Sequence, residues 1–323
     1  MTQADLPSPP SRIRLTRLDL LRGLALIAMA IYHTGWDLEF FGYMEPGTTG
    51  HGGWKLFARC IASSFLFLVG FSLVLAHGNG IRWRSYGIRL AQIIAAALAI
   101  TAATYFFTPE SFVFFGILHQ IAIATILGLA FIRLPVIVIV LCAAATIAAP
   151  LYLASPVFDA AWYWPLGLSQ TAVRSNDYVP IFPWFGAVLA GIATARLMRQ
   201  YGVMAALAGP ILPHAAERPL QFIGRHSLAF YLIHQPVLIS CVFLLSQIYP
   251  PAVATPHEVF SQACVQSCAA DNETAFCQRF CDCVIGETET AGIFDELFAG
   301  KRDQSDPQMA EIAQICTQGS SQP

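Results

Sequence analysis

Apolar runs of about twenty residues recur along this chain, and they limit its fold more than any other feature. An α-helix rises about 1.5 Å per residue and a bilayer's hydrocarbon core is about 30 Å thick, so each run matches one crossing. We read seven spans, at about 18–38, 56–76, 88–107, 112–131, 135–154, 180–198 and 226–249. Only 12% of the residues are charged, about half the share usual in a soluble domain. The expected fold is an all-α polytopic membrane protein, a bundle of about seven transmembrane helices in the lipid bilayer. A soluble enzyme is excluded, and no nucleic-acid partner is expected. The stretch 202–213 is too short to span and is broken by Pro210 and Pro213, which places it at the interface. Residues 1–11 are polar and Pro-rich, and the first run has no small-residue cleavage site at its end. It reads as a retained helix and not as a cleaved signal peptide.

Lys and Arg in short loops set the orientation. Arg12, Arg14, Arg17 and Arg22 precede or open span 1, and Arg82, Arg84 and Arg89 join spans 2 and 3. Arg133 joins spans 4 and 5, and Arg196, Arg199, Arg218 and Arg225 lie between spans 6 and 7. The opposite loops hold Lys55, Arg59 and Arg174. The segment 1–11 is therefore expected in the cytoplasm of a bacterial inner membrane, followed by a membrane domain over 12–251. Seven crossings would send the tail, 252–323, to the periplasm. That tail carries 3 basic and 11 acidic residues, against 15 and 9 in residues 1–251. It also holds Cys264, Cys268, Cys277, Cys281, Cys283 and Cys316, six of the nine cysteines. Cysteines four apart share a helix face. Two antiparallel helices could thus be laced by, for instance, Cys264–Cys281 and Cys268–Cys277, leaving Cys283 for Cys316; six cysteines allow fifteen pairings. A small Cys-rich α-helical tail in an oxidising space fits this count. A zinc site is the rival reading, although zinc ligands favour C-x2-C spacing or histidine, and the tail has only His257. Cys60, Cys142 and Cys241 fall in spans and read as small buried apolar residues.

Ionisable groups inside membrane helices are costly and point to function. In span 1, Asp19, Arg22 and Gly23 sit at i, i+3 and i+4 and share a face, and His33 and Asp37 form a second pair four apart near the other end. The plainer alternatives are an Asp19–Arg22 ion pair that closes the helix base, and a His33 that merely bonds a neighbouring helix. Depth estimated from helix rise brings further groups towards the outer boundary: His51 before span 2, His119 in span 4, Asp177 before span 6, and His234 nearer the middle of span 7. At the opposite mouth Arg22, Arg89 and Arg225 stand at span ends. Arg22 and Arg225 each neighbour a glycine, Gly23 and Gly224, that permits close approach. Arginine clusters bind phosphates through forked hydrogen bonds, so a polyphosphate such as coenzyme A suits this mouth.

These strings resemble one known family. Arg17-Leu-Asp-Leu-Leu-Arg-Gly-Leu-Ala-Leu26, Met29-Ala-Ile-Tyr-His33, His51-Gly-Gly-Trp54, Phe65-Leu-Phe-Leu-Val-Gly70, Phe115-Gly-Ile-Leu-His119, Phe182-Pro-Trp-Phe-Gly186 and Gly224-Arg-His-Ser-Leu-Ala-Phe-Tyr-Leu-Ile-His-Gln-Pro236 occur in this order. Together they resemble the bacterial branch of the heparan-alpha-glucosaminide N-acetyltransferase catalytic domain family, related to the wider transmembrane acyltransferases. The resemblance covers about residues 12–249 and leaves out the Cys-rich tail. It implies a membrane-bound enzyme that takes acetyl from cytoplasmic acetyl-CoA and places it on an amino sugar or other glycan acceptor on the outer face. The family's catalytic His lies in a His-x-x-Trp string that His51-Gly-Gly-Trp54 matches. Where the family has an active-site Asn in the first span, this sequence has His33.

The expected roles follow. His51 is the general base, acting directly or through a covalent acetyl-imidazole. His33 orients the thioester or holds the oxyanion, with Asp37 fixing its tautomer. Asp177, His119, Trp54 and His234 line the acceptor side. Arg22, Arg225 and Arg89 hold the CoA phosphates, and no metal is expected. Two other classes remain open: a transporter of a small polar or anionic solute, and a scaffold acting through its tail. Amine or hydroxyl acceptor, homo-oligomer or tail-binding protein are likewise open.

Overall fold

The computed structural model describes residues 15–251, 255–269, 272–299, 302 and 306–320. Arg12, Arg14 and the segment 1–11 lie outside the described residues. The chain forms two units, Met1–Pro250 and Pro251–Pro323.

The first unit holds α1 Thr16–Phe40, α2 Gly52–His77, α3 Trp83–Phe107, α4 Ile117–Phe131, α5 Val136–Leu153, α6 Ile181–Gln200, α7 His214–Arg225 and α8 Ser227–Ile248. Among the described residues, α2, α3, α5, α6 and α8 are long and apolar enough to cross a membrane. The chain is thus an all-α membrane protein. α1 has the length, at 25 residues, but its charged and histidine positions dilute its apolar character. α4 has 15 residues, about 22 Å of rise, which is short for a full crossing.

Two departures from the sequence reading have physical causes. The fourth element was expected from 112 but becomes helical only at Ile117. Phe112–Gly116 runs non-helically and is largely buried, so its backbone needs partners in the protein. Val113 N donates to Thr104 Oγ1 at 2.9 Å, Thr101 Oγ1 donates to the Val113 carbonyl at 2.7 Å, and Val179 N donates to the Phe115 carbonyl at 3.1 Å. The second departure is α7. Residues 202–213 make only a short 3-10 turn at Val203–Leu207, but 214–225 form a helix that hydropathy does not detect. Its buried positions include Glu217 and Gly224, seven apart. Glu217 accepts from the amides of Ile211 and Leu212 at 3.2 and 3.3 Å and from Gln221 Nε2 at 2.8 Å. A carboxylate thereby organises the loop and the first turn of α7.

Backbone-to-backbone contact organises the bundle. A Cβ on Gly70 of α2 would run into the Val188 carbonyl of α6, and one on Gly191 of α6 would run into the Phe67 carbonyl of α2. The same reciprocity joins α1 and α7: a Cβ on Gly23 would strike the Leu220 carbonyl, and one on Gly224 the Asp19 carbonyl. Small residues allow membrane helices to gain contact by close approach. Around the α2–α6 crossing, Leu66, Leu73, Val74, Ile139, Val188, Leu189 and Ile192 form the main core. Cys60 and Cys241 are exposed on their helices and Cys142 is half-buried, so the burial expected for all three does not hold. A small apolar residue can face lipid as readily as core.

The second unit holds α9 Pro256–Cys268, α10 Thr274–Thr290, α11 Phe294–Phe298 and α12 Pro307–Ser320. Cys264–Cys281 and Cys268–Cys277 lace α9 to α10, and Cys283–Cys316 ties α10 to α12. All six tail cysteines are therefore in disulfides, with no thiolate left for a metal. Val284, Ile293, Ile312 and Cys316 form a core too small to hold three helices unaided.

Gly191→Val should lower the melting temperature of the solubilised protein by several degrees, corresponding to about 1–3 kcal/mol of overpacking. Gly87→Ala, where nothing lies within 4 Å of the added carbon, should leave it nearly unchanged. Differential scanning fluorimetry compares the two.

Candidate functional site

One end of the bundle carries a cavity of about 540 Å³, within the range of small-molecule sites. Its polar mouth is formed by Arg22, Arg89 and Arg225, the three arginines singled out from the sequence, together with Arg82, His77 and Tyr86, which were not. Its inner wall is formed by Leu26, Phe65, Leu118, Ile121 and Tyr231. The α1–α7 glycine contact brings Arg22 and Arg225 to the same opening. Arg22 is held at 3.0 Å by Asp19 and donates to Ser72 Oγ at 2.6 Å, so it both closes the helix base as an ion pair and lines the cavity. Arg89 lines the same opening as Arg22, whose charge Asp19 partly offsets. Other arginines at this end bond protein oxygens. Arg17 donates to the Ala206 carbonyl at 2.6 Å, Arg199 to Asn79 Oδ1 at 2.6 Å, and Arg196 to the Leu134 carbonyl.

A second polar group lies farther along both helices, in the last third of α1 and about two turns into α8. The His33 and His234 rings lie 5.0 Å apart, and Asp37, with 0% exposure, accepts from Gln235 Nε2 at 2.7 Å. Asp37 therefore bonds α8; the expected hold on the His33 tautomer is absent, because the carboxylate's other oxygen has no partner among the described residues. Tyr32 links the pair to Trp54, with ring centres 5.8 Å from His33 and 6.2 Å from Trp54. Gly35 leaves room for the Trp54 ring.

His51 caps α2 from an exposed loop, its Nδ1 2.8 Å from the Gly47 carbonyl. A carbonyl only accepts, so Nδ1 carries the proton and Nε2 the lone pair. Glu39, unremarked in the sequence, fastens this loop to α1. It accepts from Gly47 N at 2.6 Å, and from Thr49 N and Oγ1 at 2.8 and 2.6 Å.

Asp177 and His119 hold the buried entry to α4. Asp177 Oδ2 accepts from Ile117 N at 2.8 Å, and the carboxylate also bonds the Tyr231 hydroxyl. His119 Nδ1 accepts from Gly116 N at 3.2 Å, which leaves Nε2 to donate to Thr101 Oγ1 at 3.2 Å. Both ring nitrogens are thus engaged in holding the entry to α4. Gln120, also missed, is fully buried with neither amide atom bonded among the described residues.

The two ends share helix faces. On α1 the cavity residues Asp19, Arg22 and Leu26 continue through Met29 to His33 and Asp37 at helical spacing. On α8 Ser227 and Tyr231 continue to His234. From Arg22 to His33 the rise is about 16 Å.

Residues 14–236 match the family described as heparan-alpha-glucosaminide N-acetyltransferase, catalytic. The chain belongs to this family. No curated protein and no solved structure gives a match. The heparan-alpha-glucosaminide N-acetyltransferase match spans α1 to α7 and ends within α8 at Pro236, just past His234 and Gln235, so the disulfide tail lies beyond it. Membership and membrane helices together make this a membrane protein of an acyltransferase family. No cluster of three potential metal ligands occurs among the described residues.

Burial pushes the Asp177 carboxyl up from 3.8 to about 6, against the bonds from Ile117 and Tyr231, which lower it. The folded chain then holds more protons than the unfolded one across that window, so this group's contribution to stability falls as pH rises through it. Asp177→Asn keeps an acceptor for Ile117 N but cannot ionise. Its melting temperature should gain on the wild type by several degrees between about pH 4 and pH 7. A constant gap would mean that Asp177 stays ionised throughout.

Proposed function

We propose that this protein transfers an acetyl group from acetyl-CoA, bound at the arginine cavity, to an amino sugar or other glycan acceptor at the histidine end. The observation that carries this reading is the pair of helix faces, on α1 and α8, that lead from Arg22 and Tyr231 to His33 and His234. Arg22, Arg89 and Arg225 would hold the CoA phosphates by charge-assisted bonds. The pantetheine arm would lie along the Leu26 and Tyr231 wall, and its thioester would reach the imidazoles. With the arginine end in the cytoplasm, as Lys and Arg in the loops favour, donor and acceptor enter from opposite sides of the bilayer.

Acyl transfer needs a group to take protons from the acceptor and another to steady the developing oxyanion. His51 is exposed in the loop before α2, with its Nε2 lone pair turned from its own loop carbonyl, and it is the group we assign to the incoming acceptor. His33, one turn before Asp37, is assigned to the thioester carbonyl.

The test is purified protein reconstituted in vesicles with acetyl-labelled acetyl-CoA. An acetyltransferase releases CoA and labels the acceptor; a carrier moves intact solute and releases none. Arg89→Ala should raise the KM for acetyl-CoA about tenfold and change kcat little, the pattern of lost ground-state binding. An unchanged KM would remove Arg89 from the donor site. His51→Ala should still bind CoA and lose transfer by at least about a hundredfold.

A further inference from the structure

His234 carries more chemistry than lining a pocket requires. Its Nδ1 lies 2.7 Å from the Tyr231 carbonyl, one turn back on α8. The carbonyl can only accept, so Nδ1 bears the proton and Nε2 of the neutral ring bears the lone pair. That Nε2 is buried, has no partner among the described residues, and belongs to a residue with 8% exposure. Leaving a buried acceptor unmatched is costly. Its neighbours accentuate the pattern, because Asp37 Oδ2 and Gln235 Oε1 are likewise buried acceptors without a donor. These atoms can all take a proton or a hydrogen bond, and they sit where the two helix faces from the cavity end.

We propose that His234 is a second catalytic base of this site, distinct from His51. The inference rests on the acetyl-transfer reading above. An amine acceptor arrives as an ammonium and must shed two protons. The exposed His51 takes the first and returns it to solvent. As the acceptor nitrogen bonds the acetyl carbon, it sheds the second to His234 Nε2. The C–S bond then breaks, and His234 gives that proton to the departing CoA sulfur, regenerating the neutral ring. One proton is released overall, with amide and CoA thiol as products. A hydroxyl acceptor needs only the His234 step, and no net proton appears. Burial suits this division, since a base shielded from water keeps its proton for the leaving group.

The titratable groups facing His234 are His33 from α1 and Tyr231 from its own helix, with Asp37 bonding the next residue, Gln235, and Asp177 reaching Tyr231. A pH profile alone would mix them, so the test also uses rescue. CoA release is measured with glucosamine as the amine probe and methyl glucoside as the hydroxyl probe. His234→Gln, which can still donate to the Tyr231 carbonyl, should bind CoA normally and keep its KM for acetyl-CoA within about threefold, while kcat falls at least about a hundredfold. His234→Ala should recover part of its rate when imidazole is added, and the recovery should grow with the unprotonated share of imidazole. A kcat for His234→Gln within about threefold of wild type, or a His234→Ala protein that binds CoA but is indifferent to imidazole, would overturn the proposal and leave the acyltransferase reading standing. A wild-type protein that releases no CoA with either probe would overturn both.

Discussion

The bundle depends on backbone meeting backbone at two glycine pairs. Gly70 with Gly191 sets how closely α2 and α6 approach, and Gly23 with Gly224 does the same for α1 and α7. In lipid, apolar side chains gain little from leaving one hydrocarbon surface for another, so contact area and close approach hold helices together. The second crossing also decides where charge goes. Each of its glycines is followed or preceded by an arginine, and seating one glycine against the other helix leaves Arg22 and Arg225 at a common opening. The cationic mouth is thus a product of packing and not a separate device added to it.

The polar residues divide by whether the protein itself satisfies them. Arg17, Arg196 and Arg199 bond carbonyl or amide oxygens at helix ends; His119 and Asp177 secure the irregular entry to α4; Glu217 and Glu39 each gather two or more donors from a loop. These groups build the scaffold. His234, Asp37 and Gln235 are different, because each keeps a buried acceptor atom without a donor among the described residues. Such atoms persist at a cost, and in an enzyme the reacting molecule is what meets them.

Much of this was legible in the chain, and the reasons are physical. Long apolar runs locate helices because the bilayer demands a fixed length, and the apolar helices found lie close to the expected spans. Cysteines four apart announced helices laced in one register, and the three disulfides have the pairing offered as an example. Glycines beside Arg22 and Arg225 signalled close approach, although what approaches is another helix. Hydropathy did not reveal α7, which is short, polar on one side, and held by a buried Glu217. It did not reveal the Phe112–Gly116 stretch, whose apolar side chains resemble a span while its backbone is tied to threonines from α3. Nor could spacing alone show that Asp37, four residues from His33, reaches across to Gln235, since the partner comes from a helix almost two hundred residues on. Long-range hydrogen bonds of this kind leave no local periodicity.

Only His226 separates α7 from α8. A helix pinned by its glycine to α1 is therefore continued, after a single joint, by the helix that bears Tyr231 and His234. A tilt of the short segment would carry into the longer one, like a crank turning a shaft. The placing of Arg225 at the cavity and the placing of His234 beside His33 are therefore linked through one short joint, so a shift in either helix bears on both.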